Sequence, residues 1–315
     1  MKAQTCYLKG IKSAASEGRM VGLLWLFNIL FSSLVYIQFS NYLNSVLASS
    51  GAAEKFLTSF DMNTFFEMLI HEGKSMNVVL STVLLMFIGY LTANIFLNGG
   101  ILFTLNHPKD KGEKRRLAPL FFQGAGKFFG RFLRLCIYSL ILWAGLFVVI
   151  LVLNMILDSI TSGGTNEALM FYLILVQVII AVFLIFLIKM ITDYARIKIV
   201  VEDTSKVFPS LFQAVGFVIR KFLGTLALYY LFVITAAALF AIYWMIQGAI
   251  KTHALLPILI AFLIAQIFIL SRAWVRIGLQ AAQMEYFCHW RPRRPSGQEG
   301  LEPAAVAESD TEPVP

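Results

Sequence analysis

Uncharged, mostly apolar stretches recur six times along the chain, at 20–53, 75–106, 135–157, 168–188, 222–250 and 252–271. Each is long enough to cross a bilayer as a helix, since about 20 residues at 1.5 Å each cover the roughly 30 Å of hydrocarbon. Inside lipid the backbone polar groups have to be paired within the segment, and a helix does this. The predicted spans are about 20–43, 78–103, 135–157, 168–188, 222–246 and 254–271. The predicted fold class is an all-α transmembrane six-helix bundle, with 1–290 as the membrane domain.

The connections carry a second pattern. The segment from Pro119 (PLFFQGAGKFFGRFL) resembles the one from Pro209 (PSLFQAVGFVIRKFL), ninety residues on. Phe122 aligns with Phe212, Gln123 with Gln213, Gly126 with Gly216, Arg131 with Lys221 and Phe132 with Phe222. Each opens at a proline, where the missing N–H costs no helical bond. In the first copy Leu117, Leu120, Phe121, Phe128 and Phe132 share a face, opposite Gln123, Lys127, Arg131 and Arg134. In the second, Phe208, Leu211, Phe212, Val215, Ile219 and Phe222 form the apolar stripe. Basic residues opposite large apolar ones suit a helix lying in the headgroup layer, attracted to anionic lipid. The exits of spans four and six also match, YARIKI from Tyr194 against WVRIGL from Trp274. The segment from Leu8 holds the same place before span one, with a weaker match. The expected unit is an amphipathic interfacial helix followed by a two-helix hairpin, present three times.

Orientation follows from charge. Twenty-three of the 26 Lys and Arg residues fall before span one, between spans two and three, around the connection of spans four and five, or at and beyond the end of span six. The other connections hold only Lys55, Lys74 and Lys251. This asymmetry predicts both ends in the cytoplasm. The small residues Ala48, Ser49 and Ser50 after span one resemble a cleavage site. The apolar run before them exceeds that of a signal peptide, so a retained anchor is expected.

Outside the spans little is left. A short amphipathic helix is expected over 61–71, with Asp61 as its cap; Glu67 and His71 lie four apart on it as an exposed polar pair. The stretch 291–315 has five prolines and five acidic residues and cannot bury enough apolar surface to fold alone, which predicts a disordered cytoplasmic tail.

Composition agrees. The chain is 58% hydrophobic and 14% charged, with a mean hydropathy of +0.75, where a soluble domain carries about a quarter charged residues. The net charge of +8 is explained by the topology bias, so no nucleic acid partner is expected. Cys6, Cys136 and Cys288, and four scattered histidines, make no metal-ligand spacing. No cofactor or metal is expected.

Two sets of candidate residues remain. Asn28, Asn94, Asn98, Asn154, Gln177 and Gln266 are polar groups within spans, and interhelical hydrogen bonding, worth about 0.6 kcal/mol, is the expected role. Gly99 and Gly100 let a neighbour approach span two closely. The charged set gathers at the inner ends of spans four and six: Lys189 with Asp193 four residues on, then Arg196, and the equivalent Arg272 and Arg276. Such side chains ordinarily snorkel to headgroups. The alternative is a ring of cations holding a lipid phosphate or an anionic solute. With Lys127, Arg131, Arg134, Arg220 and Lys221 they form the candidate headgroup or anion-binding residues. Paired carboxylates, phosphate loops and nucleophile motifs are missing, so no enzyme is expected.

The exit motif DYARIKIVVED, followed by LFQAVGFVIRKF, resembles a loose group of bacterial multi-spanning proteins. That group includes the membrane domain attached to some glycerophosphodiester phosphodiesterases. The resemblance implies a bacterial cytoplasmic membrane and a helical bundle over about 7–286. No soluble segment here could hold the phosphodiesterase barrel, so its activity is not implied. The expected function is a lipid-contacting scaffold or assembly partner, with anionic lipids, a membrane protein or a second copy as partners. The alternative is a transporter or channel for a small or anionic solute.

Overall fold

The computed structural model describes residues 3–50, 73–107, 117–161, 167–250 and 255–290, and these form eight helices. They are α1 (Ala3–Ser16), α2 (Gly18–Ser50), α3 (Gly73–Asn106), α4 (Leu117–Thr161), α5 (Glu167–Val201), α6 (Val207–Arg220), α7 (Phe222–Ala249) and α8 (Leu255–Trp290). No strand occurs among the described residues. Six helices, α2–α5, α7 and α8, are long and apolar enough to cross a membrane, as a multi-pass membrane protein requires. The helix expected at 61–71, with Glu67 and His71, and the tail at 291–315 lie outside the described residues.

All six helices are longer than the predicted spans, three of them by more than ten residues. α4 has 45 residues, about 67 Å at 1.5 Å per residue, and starts at Leu117 rather than near 135. α5 runs on to Val201 and α8 to Trp290. The first repeated segment is therefore not a separate helix but the opening turns of α4. Pro119, Pro209 and Pro257 each sit in the first turn of a helix, where proline does not break it. In the second copy α6 does end, at Lys221, whose N–H bonds Phe217 O before α7 starts.

The core lies at one end. Its buried residues come from the start of α2, α4 and α7, the end of α3 and α5, the second half of α8, and α1 and α6. Successive spans run in opposite directions, so these stretches meet at one end of the bundle. Two clusters fill it, one around Phe128, Tyr194, Leu211 and Leu228, the other around Met20, Ile101, Phe121 and Ile277.

Small residues set the helix spacing there. Gly99 rests on the backbone of Gly124 and Ala125, and Gly100 lies under the Phe121 ring, as the Gly99–Gly100 pair led us to expect. Gly124 in turn receives Phe103. α1 lays Cys6, Gly10 and Ala14 on α8, where a Cβ on Gly10 would come within 2.5 Å of Gly278 O. Tyr7 Oη and Thr235 Oγ1 share a 2.7 Å hydrogen bond, and Lys9 is ion-paired with Glu285.

The two repeated segments are buried in the same rhythm. Phe121 and Leu211, Gly124 and Ala214, and Phe128 and Val218 are buried at matching positions, while Phe122 and Phe212, and Gln123 and Gln213, are exposed. The stripe expected on α4 packs on protein. On α6 the buried face is Val207, Ser210, Leu211, Ala214 and Val218. Of the expected stripe only Leu211 is buried; Phe208, Phe212 and Ile219 face outward. Both faces of α6 are apolar, so periodicity alone fits either.

Candidate functional site

A cavity of about 1580 Å³ opens between α2, α3, α5, α7 and α8, larger than the roughly 300–1,000 Å³ typical of small-molecule sites. Its lining has two characters. One part is apolar and aromatic, with Phe31, Val83, Phe87, Leu239 and Phe262 among the contributors. The other is cationic: Lys189 and Arg196 from α5, Arg272 and Arg276 from α8.

Helix geometry explains the cationic wall. Lys189, Asp193 and Arg196 are spaced i, i+4, i+7 and share one face of α5; Arg272, Arg276 and Gln280 are spaced i, i+4, i+8 on α8. Asn94 and Asn98 make the matching pair on α3. Arg276 donates to Asn94 Oδ1 and to Asn98 Oδ1, each at 3.0 Å, and Gln280 Nε2 donates to Asn98 Oδ1 at 2.9 Å. With two donors converging on Asn98 Oδ1, that atom must be the carbonyl oxygen and the Gln280 atom facing it the amide nitrogen. Arg276 is thus held by neutral acceptors, which orient its guanidinium without neutralising it.

Asp193 is the one carboxylate of the lining among the described residues. It accepts from Arg196 at 3.2 Å and from Tyr229 Oη at 3.3 Å. The ion pair is with Arg196, one turn below, and not with the Lys189 partner that the four-residue spacing allowed. Lys189 and Arg272 line the cavity with no hydrogen bond or ion pair among the described residues.

The remaining candidates divide. Asn28, Asn98 and Gln266 line the same cavity, and Gln266 Oε1 accepts from Trp25 Nε1 at 3.1 Å. Asn154 and Gln177 lie apart from it: Gln177 Nε2 donates to Asn154 Oδ1 at 2.9 Å, tying α4 to α5. Lys127 and Arg131 are engaged by Asp203, at 2.6 Å each, in the α5–α6 connection. Asp203 has a φ of 46°, in the left-handed region. Partial burial raises the Asp203 carboxyl, but the hydrogen bonds from Lys127 and Arg131 outweigh it and hold its pKa below the ordinary value. Lys221 stands 3.5 Å over the centre of the Trp290 ring. Arg134 and Arg220 are exposed.

Gln280 and Trp25 are site residues that sequence reasoning missed. The signal for Gln280 was present, four residues beyond Arg276 on the same face. It was hidden because span six was expected to end at 271. Deeper in the packed end, Tyr194 Oη and both amide atoms of Gln283 are buried with no hydrogen-bond partner among the described residues.

No protein-family model, no curated protein and no solved structure matches this chain.

Proposed function

We propose that this chain is a non-catalytic, lipid-binding protein of a bacterial cytoplasmic membrane, which holds an anionic lipid by its headgroup in the cavity. The carrying observation is the lining itself, four cations at one part and large apolar side chains at another, which is the polarity of an anionic amphiphile. Charge-assisted hydrogen bonds from Arg and Lys are the strong ones for phosphate, and Arg276 is pre-oriented by Asn94 and Asn98. Orientation is supported by the location of the packed end, where the described cations Lys9, Lys127, Lys198, Lys206 and Arg220 also gather. That end faces the cytoplasm under the positive-inside rule. The parallel burial of the two repeated segments supports a fold made of repeated hairpins. The outward Phe122, Phe208, Phe212 and Ile219, beside Arg134 and Arg220, contact the headgroup layer.

A second reading, a transporter for an anionic solute, is favoured by one observation: Asn28, Gln38 and Gln266 extend the polar lining beyond the cations. The test is native mass spectrometry of protein purified in mild detergent. Lipid reading: an anionic phospholipid is retained, and Arg276→Gln loses it. Retention of zwitterionic lipid alone, or of no lipid, rules the reading out. Uptake of a labelled inorganic anion into vesicles holding lipid-free protein would favour the second reading.

A further inference from the structure

The charge balance of the cavity goes further and specifies the class of headgroup. Lys189, Arg196, Arg272 and Arg276 bring four positive charges, and Asp193 alone returns one. Three further carboxylates among the described residues are committed elsewhere: Glu202 to Lys198, Asp203 to Lys127 and Arg131, and Glu285 to Lys9. Asp193 is itself bonded to Arg196 and Tyr229 and lies within electrostatic reach of Lys189 and Arg276, so its one charge is divided among three of the four cations. Among the described residues the lining therefore carries a formal excess of three positive charges. Arg196 and Arg276 are half-buried and Lys189 and Arg272 are exposed; like charges gathered on one lining repel, and an anionic ligand supplies the counter-charge.

A phosphodiester headgroup brings a single negative charge and leaves most of the excess in place. A phosphomonoester carries about −1.5 to −2 near neutral pH, with three acceptor oxygens in place of two. A diphosphate carries more. Arg276 is fixed by neutral acceptors, while Lys189 and Arg272 line the same cavity with no hydrogen bond or ion pair among the described residues to give up, so a phosphate there has three lining cations to draw on.

We infer that the cavity selects a phosphate group bearing two or more negative charges, a phosphomonoester or diphosphate, over phosphodiester and zwitterionic headgroups. This rests on the lipid-binding reading above. The two fail in different ways. Substitution of Lys189 or Arg272 removes a ligand-facing charge and breaks no bond of the fold among the described residues, which makes them suitable probes.

The experiment titrates delipidated full-length protein in detergent with phosphatidic acid, phosphatidylglycerol, phosphatidylethanolamine, inorganic phosphate and pyrophosphate, reading occupancy by native mass spectrometry. Phosphatidic acid is expected to bind at least about tenfold more tightly than phosphatidylglycerol. Lys189→Gln and Arg272→Gln are each expected to weaken it about tenfold, the scale of one charge-assisted hydrogen bond. Lys189→Arg is expected to retain binding, and Lys12→Gln, which removes an equal charge from α1, to leave it unchanged. Unaltered melting of the variants in detergent confirms that they fold. Equal affinity for phosphatidic acid and phosphatidylglycerol overturns the selectivity and leaves the lipid-binding reading standing. Binding of pyrophosphate or phosphate without phosphatidic acid overturns the lipid source. Binding of none of the five overturns both.

Discussion

Phe128 and Phe147 lie on the same helix, α4, yet the first is 1% exposed and the second 62%. They stand for two regions built by different rules. Around Phe128 the helices carry a closed core, with glycines under aromatic rings and buried clusters that join all eight elements. Around Phe147 the helices of the spans expose Leu140, Ile141, Met155, Phe171, Ile179 and many more. The solvent explains the difference. At the packed end, burying apolar area away from water is favourable at about 25 cal/mol per Å². Within hydrocarbon, lipid tails are as apolar as leucine, so burial of a span against another span gains little. On the proposed lipid-binding reading, the apolar lining of the cavity is covered by lipid chains instead of protein.

Glycines give the sharpest contrast. Gly124→Leu drives a side chain into Phe103 and is expected to cost 3 kcal/mol or more, at or beyond the roughly 1–3 kcal/mol of ordinary overpacking. Gly145→Ala, in the apolar half with nothing within 4 Å, is expected to be neutral or to stabilise by about 0.5–1 kcal/mol. Denaturation in mild detergent measures both, and equal effects would erase the contrast. Phe128→Ala is expected to destabilise by about 3–5 kcal/mol, as for a buried aromatic, while Phe147→Ala should stay within about 0.5 kcal/mol.

Polar contacts sharpen the comparison on a smaller scale. Arg276→Gln removes two hydrogen bonds joining α8 to α3 and is expected to lower stability by about 2 kcal/mol. Gln177→Leu in the apolar half breaks only the bond to Asn154, at about 0.6 kcal/mol. Smallest is Asp203, whose side chain is 53% exposed. Its lowered pKa means that the ion pairs stabilise the fold above the ordinary carboxyl value of 3.8 and are lost as pH falls through the folded value. Asp203→Asn should cost less than about 1 kcal/mol at neutral pH and nothing in acid, seen in melting curves recorded at both.

The spans were legible in the sequence because length and hydropathy are properties of one segment. So was the close approach at Gly99 and Gly100, since two adjacent glycines in an apolar run leave room for a ring. The cations at 189–196 and 272–276 were also legible, as charges at the ends of spans. What periodicity could not give was the rotation of one helix against the next. It left open which of two apolar faces α6 buries, that Asn154 and Gln177 meet each other while Asn28 and Gln266 face the cavity, and that Asp193 reaches Arg196. Nor did it reveal that α4 continues unbroken from Leu117, because its opening turns and its span are both good helix.

The occupancy of the cavity is the central claim, and photocrosslinking tests it most directly. Vesicles containing the protein and an anionic phospholipid with a photoreactive acyl chain are irradiated, and the adducts are mapped by peptide mass spectrometry. Adducts on residues of the lining such as Phe31, Phe87 and Phe262, lost when unlabelled anionic lipid competes or when Arg276 is replaced by Gln, are the expected result. Adducts spread over the outward faces of α4 and α5, indifferent to competitor and to Arg276, would contradict it.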